Sequence, residues 1–518
     1  MMPLMKAQAG VKLGDLLTGI IATDVLSPVM DLTVTAISQN SRMLTAGSLF
    51  IATRGATSHG LDYAEQAASA GAAVILWDEA SAEAEQMLQN LQQQLVCLQV
   101  PGLREEAGII ASRFYDHPSL ELNVIGVTGT DGKTSVSHYI AQCLHTDTAR
   151  CGVLGTLGNG LIDALQPTGL TTADAVSVQQ SLAALVDSGA VSAAMEVSSH
   201  GLDQHRVKGV AFNTAVFTNL AQDHLDYHKS MDAYADAKAK LFAMPGLKAA
   251  AINLDDIYGR TLADRFSDDL DIWGFSTSAD INALSIYSDF IVHARSIEPT
   301  PDGFELFVVT PRGSGQLDIG LLGEFNVSNV LAVLTVLLLN DIAFDDALNR
   351  LQTLLPVAGR MEKIKLDTGP AVIVDYAHTP QALNAACHAV KQHFAGKLWC
   401  VFGCGGDRDS DKRPRMAQAV EQLADHVVVT SDNPRNEDPE KIIEEVFRGF
   451  DHPHKVTSIV DRHDAIQHVI THAADNDIIL LAGKGHEAYQ IMGDRQLAFD
   501  DRKVARALLV ARQSGLRQ

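Results

Sequence analysis

The C-terminal third of the chain repeats one pattern four times: a short, uninterrupted apolar run is followed at once by a cluster of polar residues. The apolar runs lie at residues 371–374, 397–402, 426–430 and 478–481. Helical patterns separate them, and continuous apolar strands that alternate with helices predict a parallel sheet covered on both faces. Ligands of such sheets bind beyond the carboxyl ends of the strands. The polar clusters that we expect at this edge lie at residues 375–380, 403–409, 431–435 and 483–487.

A second segment, residues 126–135, reads Gly-Val-Thr-Gly-Thr-Asp-Gly-Lys-Thr-Ser and lies between an apolar run and a helical pattern. Strand, glycine-rich loop and helix together form a phosphate cradle, because loop amides and the helix N-terminus face the anion. Lys133 adds a positive charge, and the Thr134 hydroxyl can hold Mg²⁺. The general P-loop pattern expects glycine where Val127 stands, so the spacing is shifted. The segment predicts binding of ATP or GTP.

Bulk properties narrow the class of protein. A chain of 518 residues is too long for one core and predicts about three domains. The net charge of −23 argues against a general nucleic-acid or acidic-membrane surface. The longest apolar run, residues 330–339, is about half of a membrane span, and the first residues lack a signal-peptide pattern. Six scattered cysteines predict buried, reduced thiols in a cytoplasmic protein.

The order of patterns predicts an α/β protein with three domains. We expect a smaller N-terminal α/β domain over residues 1–103, which ends at a Pro-Gly pair. A central domain over residues 104–356 contains the phosphate loop and a P-loop ATPase-like parallel sheet with helices on both faces. A C-terminal, Rossmann-like domain covers residues 357–518 and carries the four repeated units.

Lys238 has an unusual predicted position. With Ser230 as N-cap, a helix over residues 231–244 places Lys238 on the same apolar face as Tyr234 and Leu241. A lysine on such a face usually extends its amine to water. The other interpretation is a desolvated amine of lowered pKa that reacts with carbon dioxide. The resulting carbamate would be a carboxylate suited to hold a second Mg²⁺.

Candidate metal partners of this lysine lie upstream. Glu196 ends an apolar strand, where an acid is costly unless it is paired or bound to a metal. His224 and His228 are spaced i, i+4, which also suits zinc. A site rich in phosphate and carboxylate oxygens favours magnesium instead.

The segment at residues 432–435, Asp-Asn-Pro-Arg, can grip one end of an amino acid. Arg435 can clamp a carboxylate bidentately, while the preceding Asp and Asn can bind an ammonium group. Arg408 is a second candidate clamp for the same ligand. The alternative is an ordinary turn from a strand into a helix that starts near Pro439.

Taken together, these residues closely resemble the Mur ligase family. The matching motifs occur in order over nearly the whole chain, at residues 40–42, 47–51, 126–135, 171–172, 195–201, 204–206, 223–228, 238, 323–329 and 359–362 and in the four C-terminal clusters. Five positions differ from the usual family pattern, namely Asn40, Asp131, Ser135, Leu170 and Asp411. Asp131 places an extra negative charge in the phosphate loop, and Leu170 stands where a polar residue is often found.

The resemblance implies a role for each matching residue. The catalytic residues would be Lys133, Glu196, His224 and Lys238. ATP would be bound by Gly129, Thr130, Asp131, Gly132, Lys133, Thr134, Ser135, Asn326, Asn329 and Arg360. Two magnesium ions would be positioned by Thr134, Glu196, His224 and Lys238 as N6-carboxylysine. The UDP-linked substrate would be held by Ser41, Ala56, Thr57, Ser58, Thr171, Thr172, Ser198, Gln204 and Arg206. The incoming amino acid would be bound by Arg408, Asp432, Asn433, Pro434, Arg435, Gly483 and Glu487.

The implied activity is ATP-dependent addition of meso-2,6-diaminopimelate to UDP-N-acetylmuramoyl-L-alanyl-D-glutamate through an acyl phosphate, in cytoplasmic peptidoglycan precursor synthesis. Diaminopimelate is favoured over lysine because Arg435 would clamp its second carboxylate. The cofactors would be ATP and Mg²⁺, and we expect a monomer that binds neither nucleic acid nor membrane. Two alternatives are a lysine-adding or folate-polyglutamating ligase of the same superfamily and a nucleotide-binding regulatory protein without catalysis. The intact Lys133, Glu196, His224 and Lys238 argue against the latter.

Overall fold

The computed structural model describes residues 10–55 and 58–515. The chain divides into two compact units, each assembled from separated segments. The first contains the residues up to Ser276 together with Ile281–Val292 and Ala332–Ala343. The second contains Thr277–Asp280, His293–Leu331 and the residues from Phe344 onwards.

The N-terminal part of the first unit contains six short strands. They are β1 (Val11–Lys12), β2 (Thr33–Val34), β3 (Ala36–Ser38), β4 (Ser48–Ala52), β5 (Val74–Trp77) and β6 (Val96–Gln99). Strands β3 to β6 form a parallel sheet in sequence order, while β1 and β2 pair antiparallel. The helices are α1 (Leu13–Leu17), α2 (Thr23–Leu26), α3 (Ala64–Ser69), α4 (Ala82–Leu91) and α5 (Leu103–Phe114).

The rest of the first unit is built on a larger sheet. Its strands are β7 (Asn123–Thr128), β8 (Arg150–Gly155), β9 (Gly158–Leu161), β10 (Ala190–Glu196), β11 (Thr214–Phe217), β12 (Ala249–Asn253) and β13 (Asp271–Ser276). Their order is β13-β12-β11-β7-β10-β8-β9, and only the β8–β9 pair is antiparallel. The carboxyl ends of β10 and β11 therefore flank that of β7. The helices are α6 (Lys133–Leu144), α7 (Ala175–Asp187), α8 (Ser199–Asp203), α9 (Leu225–His228), α10 (Met231–Ala239) and α11 (Ile257–Phe266).

The second unit begins with an antiparallel meander and two helices. The meander consists of β14 (Phe290–Thr300), which belongs to this unit from His293 on, β15 (Gly303–Thr310) and β16 (Gly313–Ile319). The helices are α12 (Glu324–Leu339), which starts in this unit, and α13 (Phe344–Gln352).

A six-stranded sheet forms the main core of the second unit. Its strands are β17 (Glu362–Ile364), β18 (Ala371–Asp375), β19 (Leu398–Phe402), β20 (His426–Val429), β21 (Val456–Ser458) and β22 (Ile478–Ala482). The order is β17-β18-β22-β19-β20-β21, with only β17–β18 antiparallel. The remaining elements are the hairpin β23 (Tyr489–Met492) and β24 (Arg495–Ala498) and the helices α14 (Pro380–His393), α15 (Lys412–Glu421), α16 (Pro439–Phe447), α17 (Arg462–His472) and α18 (Asp501–Gln513).

This sheet is buried on both faces, as its continuous apolar strands predict. Along β18, Ile373 packs into one apolar cluster, while Val372 and Val374 pack into another on the opposite face. The predicted α/β class with parallel sheets is confirmed, and all four polar clusters follow the carboxyl ends of parallel strands. The boundaries of the three predicted domains stay a prediction.

The helix predicted over residues 231–244 is shorter than expected. Ser230 does cap it, since its hydroxyl accepts a hydrogen bond from the Ala233 amide at 3.1 Å. The helix ends at Ala239, and the chain tightens into three-residue turns, such as the Leu241 amide bonding the Lys238 carbonyl at 3.2 Å. Pro245 follows directly, and a proline disfavours helix in the residue before it.

All six cysteines are buried free thiols, as expected. Within residues 10–55 and 58–515, none of the helices combines the length and apolarity that crossing a membrane requires.

Candidate active site

The phosphate loop occupies residues 129–132, between the end of β7 and the start of α6. Gly129 has a φ of +151° and Gly132 a φ of +82°, which side chains rarely adopt. A Cβ atom on Gly129 would also overlap the Thr218 hydroxyl, so this position requires glycine. The loop leads straight into the N-terminus of α6, so the positive end of the helix dipole faces the loop. Thr134 and Ser135, in the first turn of this helix, are buried.

Residues that follow β11 hold the loop in place. The Thr218 hydroxyl donates to the Asp131 carbonyl at 2.6 Å, and the Thr130 amide donates to the Asn219 carbonyl at 2.9 Å. The Asn219 side chain accepts from the Asp131 amide at 2.9 Å. Sequence reasoning missed Thr218 and Asn219, although they are polar residues directly after an apolar strand, the same signal that marked the C-terminal clusters.

Lys133 lies across the phosphate loop. Its Nζ donates to the carbonyls of Gly129 at 2.9 Å and Thr130 at 2.7 Å. The ammonium group is thereby held beside the backbone amides that would face an anion.

Glu196, the last residue of β10, is 1% exposed and lies beside the phosphate loop. Its Oε2 accepts from the hydroxyls of Thr134 at 2.9 Å and Thr156 at 3.1 Å, and its Oε1 accepts from the Thr156 amide at 2.8 Å. Thr156, which the sequence did not single out, also lies 3.1 Å from Thr171 through the two hydroxyl oxygens. The structure thus connects the loop threonine, the buried carboxylate and a predicted substrate residue.

Lys238 is only 1% exposed, so the interpretation that its amine extends to water is wrong. Its Nζ donates to the Gly129 carbonyl at 2.7 Å and lies 4.3 Å from the centre of the Tyr234 ring. Burial, reinforced by the charge of Lys133, holds the pKa of Lys238 well below its usual value, against the opposing charges of Asp223 and Asp131. Burial thus favours the neutral, nucleophilic amine more than it would be favoured in an exposed lysine. The negative charge of Asp131 thus raises the pKa of Lys238 and partly opposes the effect of burial.

The predicted histidine pair separates into two environments. His224 has a left-handed backbone with a φ of +54°, and its side chain is 46% exposed. Its ring centre lies 6.1 Å from that of Tyr234, the ring that contacts Lys238. His228 is buried, with Nε2 3.0 Å from the Ser199 hydroxyl.

Three His, Cys, Asp or Glu donor atoms converge at one place in the described parts of the chain, at the exposed Asp461, His463 and Asp464 of the second unit. The i, i+4 histidines therefore do not form a zinc-type cluster of such donors. The oxygen atoms of Thr134 and Glu196 suit magnesium better.

Four predicted substrate residues lie together next to Glu196. The Thr172 hydroxyl donates to the Glu196 carbonyl and accepts from the Ser198 amide, both at 3.0 Å. Arg206 donates from Nη1 to the Thr172 carbonyl at 2.7 Å and from Nε to Gln204 Oε1 at 3.1 Å. The guanidinium group is thereby fixed at the carboxyl edge of β10.

Apart from Thr171, the remaining predicted substrate residues belong to the N-terminal part of the sequence. Ser41 is buried and donates to Gln66 Oε1 at 2.9 Å, and Ser58 is exposed. Ala56 and Thr57 lie outside the described residues. Leu170, which departs from the family pattern, is 51% exposed.

The predicted nucleotide residues of the second unit lie on α12 and near β17. Asn326 donates to the Leu322 carbonyl at 2.8 Å, and Asn329 donates to the Asn326 side chain at 2.9 Å; both are buried. The Arg360 guanidinium lies 4.7 Å from the centre of the Tyr376 ring.

The Asp-Asn-Pro-Arg turn follows β20, and its first three residues are buried. Asn433 donates to Glu487 Oε2 at 2.8 Å, while its Oδ1 accepts from Lys484 Nζ at 3.2 Å and from the Ile491 amide at 3.0 Å. Gly483, with a φ of +111°, has no room for a side chain, because a Cβ atom would lie 2.6 Å from Asp432 Oδ2. Lys484, which lies in the predicted polar cluster 483–487 but was not among the predicted ligand-binding residues, is part of this site.

Arg435 has a φ of +53°, which is strained for a residue with a side chain. Hairpin contacts impose this conformation: the Arg435 amide donates to the Ile491 carbonyl at 3.1 Å and its carbonyl accepts from the Gly493 amide at 2.7 Å. Its Nη1 donates to the Gly406 carbonyl at 2.7 Å. Arg408, the second predicted clamp, is exposed. Asp438 caps α16, so the turn also has the structural role that the alternative assigned to it.

Models of the Mur ligase family match three parts of the chain. A family model described as the Mur ligase middle domain matches residues 127–337. Models described as the glutamate ligase domain of Mur ligases and as the catalytic domain of the Mur ligase family match residues 359–485 and 33–115.

Individual relatives match nearly the full length. A protein of Alkalilimnicola ehrlichii named UDP-N-acetylmuramoyl-L-alanyl-D-glutamate–2,6-diaminopimelate ligase is 45% identical over 92% of this chain and 96% of its own. A protein of the same name from Pseudomonas aeruginosa is 44% identical over 93% of this chain and 96% of its own. A solved structure of a ligase of that name is 33% identical, with a TM-score of 0.69 over 97% of this chain and 99% of its own. By sequence, fold and the layout of its phosphate loop, this chain belongs to the Mur ligase family.

Proposed function

We propose that this protein is an ATP-dependent ligase that joins meso-2,6-diaminopimelate to UDP-N-acetylmuramoyl-L-alanyl-D-glutamate in peptidoglycan precursor synthesis. The relatives named above carry this activity in their names. One observation supports the choice of amino acid: Arg435 is held in a strained turn beside the buried Asp432 and Asn433. A guanidinium group beside a carboxylate fits the zwitterionic end of diaminopimelate, whereas the side chain of lysine ends in an amine alone.

The phosphate loop would start the reaction. The side-chain carboxylate of the D-glutamate attacks the γ-phosphorus of ATP, and the bond to ADP breaks. Lys133, held at the loop by two carbonyl groups, would neutralise charge that develops on the phosphate oxygens. The products of this step are ADP and an acyl phosphate.

The amine of diaminopimelate then attacks the acyl carbon. The tetrahedral intermediate loses phosphate, and the nitrogen loses its proton, which leaves an amide. Arg206, Gln204, Thr172 and Ser198 would orient the UDP-linked substrate beside the phosphate loop. The turn at residues 432–435, with Arg408, Gly483 and Glu487, would orient the amine.

Magnesium fits the oxygen donors of the first unit. Thr134, Glu196, His224 and a carbamylated Lys238 would hold two ions, and the bound ions would supply positive charge to the phosphate oxygens. Carbamylation joins the Lys238 nitrogen to carbon dioxide with loss of a proton, which requires the neutral amine that burial favours. We further propose that the protein acts in the cytoplasm as a monomer and is organised in three domains over residues 1–103, 104–356 and 357–518.

Phosphate release tests this function. We expect release only when ATP, Mg²⁺, the UDP-linked dipeptide and meso-diaminopimelate are all present. With an oxygen isotope in the D-glutamate side-chain carboxylate, the label should appear in the released phosphate, because that oxygen bridges the acyl and phosphoryl groups. Phosphate without label would contradict the acyl phosphate.

A further inference from the structure

Lys484 is a completely buried lysine between two carboxylates of the proposed amino-acid site. Its side chain is 0% exposed, and its Nζ lies 3.1 Å from Glu487 Oε2 and 3.7 Å from Asp432 Oδ1. The same Nζ is 3.2 Å from Asn433 Oδ1. The Lys484 ammonium group therefore contacts three of the side chains that are proposed to bind diaminopimelate.

The neighbouring buried arginine is already neutralised. Arg462 donates from Nε and Nη2 to the two carboxylate oxygens of Asp501, at 2.8 and 2.7 Å, and both side chains are 0% exposed. Its Nη2 also donates to the Ala482 carbonyl at 2.9 Å. With that ion pair closed, Lys484 is the cation in direct contact with Asp432 and Glu487.

The charge balance of this cluster follows directly. Two carboxylates and one ammonium leave one net negative charge, which complements a single ligand ammonium group. Burial raises the pKa of Asp432, and the charges of Lys484 and Arg462 oppose that rise. Without Lys484, the buried Asp432 carboxylate would lose a neighbouring positive charge that opposes the rise of its pKa. The other ionisable groups near this cluster are Arg360, Arg435, Arg462, Asp501, Tyr376, Tyr489, His378 and His486.

We propose that Lys484 is a positioning residue for diaminopimelate: its ammonium group offsets the charge of Asp432 beside Glu487, and it holds Asn433 in the orientation that leaves free lone pairs of Asp432 and Glu487 to the ligand ammonium group. This inference rests on the proposed function. It adds a residue that acts through its neighbours, since its own amine is occupied by three protein side chains.

The test compares Lys484→Gln with Lys484→Met. Glutamine retains hydrogen bonding to Asn433 but removes the charge, and methionine removes both. We expect both variants to raise the KM for diaminopimelate about tenfold or more near pH 7, with kcat and the KM for ATP within about threefold. Lys441→Gln, which removes an exposed lysine from α16, is the matched control and should change none of these constants.

The pH dependence separates a charge role from a packing role. Because burial raises the pKa of the Asp432 carboxyl, this group becomes ionised as the pH rises, so the ratio of variant to unsubstituted KM should fall with increasing pH. A ratio that does not change with pH, or a Lys484→Gln variant with the unsubstituted KM, would overturn the proposal.

A second measurement needs no variant. In the unsubstituted protein, pimelate, which has no amine, should compete with diaminopimelate at least about tenfold more weakly than 2-aminopimelate, which keeps one amine. Equal competition would also overturn the proposal. If the unsubstituted protein does not use diaminopimelate at all, the proposed function fails, whereas normal turnover with an unaffected Lys484→Gln variant removes this inference alone.

Discussion

Lys238 differs from the nearby Lys240 in almost every property that affects reactivity. The Lys238 amine is buried against the Gly129 carbonyl, whereas the Lys240 side chain is 43% exposed and pairs with Asp203 at 2.8 Å. Lys240 therefore offers a matched control for a test of the role proposed for Lys238. The difference arises from helical periodicity, which the sequence shows, and from the packing of the phosphate loop, which it does not.

We predict that Lys238→Ala lowers kcat by about two to three orders of magnitude, because the carbamate that would hold magnesium cannot form. Short carboxylic acids added to the assay should restore part of the rate. Lys240→Ala should have nearly unchanged kinetics. A fully active Lys238→Ala variant would remove the carbamate from the mechanism.

A second prediction concerns the side chain of Arg435. Arg435→Lys keeps the charge but loses the bidentate geometry, so the KM for diaminopimelate should rise about tenfold to a hundredfold while the KM for ATP stays constant. Arg415→Lys, at an exposed position of α15, serves as the control. An unchanged KM for diaminopimelate would show that Arg435 does not bind the ligand.

At the level of secondary-structure elements, the hairpin of β23 and β24 stabilises the turn at residues 432–435. Gln490 Nε2 donates to the Asp432 carbonyl at 2.7 Å, and this side chain is buried. The Ile491 amide donates to Asn433 Oδ1, and its carbonyl accepts from the Arg435 amide. The turn thus keeps its shape through an element that follows it by more than fifty residues.

Gln490→Ala should therefore leave the buried Asp432 carbonyl without its donor and loosen the turn. We expect the KM for diaminopimelate to rise about fivefold to tenfold. Gln496→Ala, at an exposed position of the same hairpin, should not change it. Equal effects of the two variants would mean that the hairpin acts only on overall stability.

The elements that sequence predicted and those it missed differ in their physical basis. Strands β18, β19, β20 and β22 were predictable because both of their faces are buried, which makes them continuously apolar. Strand β24 is exposed along its whole length and therefore has no apolar pattern to detect. Thr156 was missed for another reason: it follows β8, and its contact with Glu196 depends on strand order, which a single sequence does not show.

At the scale of the whole molecule, the two compact units combine segments that are far apart in sequence. Residues 293–331 belong with the C-terminal sheet, although they precede the end of the predicted central domain. Sequence reasoning divides a chain into consecutive stretches, so it cannot detect such an arrangement. The α/β class with parallel sheets was predictable, because each strand and each helix has its own local pattern. The ligands of the phosphate loop and of the turn at residues 432–435 stay predictions.

The amino acid that this Mur ligase adds can be identified directly. The most direct measurement is a competition in which ATP, Mg²⁺ and the UDP-linked dipeptide are incubated with equal amounts of meso-diaminopimelate, L-lysine and L-ornithine. Mass spectrometry of the products identifies the amino acid that is added. We predict that the diaminopimelate product exceeds each of the others at least about a hundredfold. Only diaminopimelate has both a carboxylate and an ammonium group at the end of its side chain, and these would pair with Arg435 and Asp432. A predominant lysine product would contradict the proposed function.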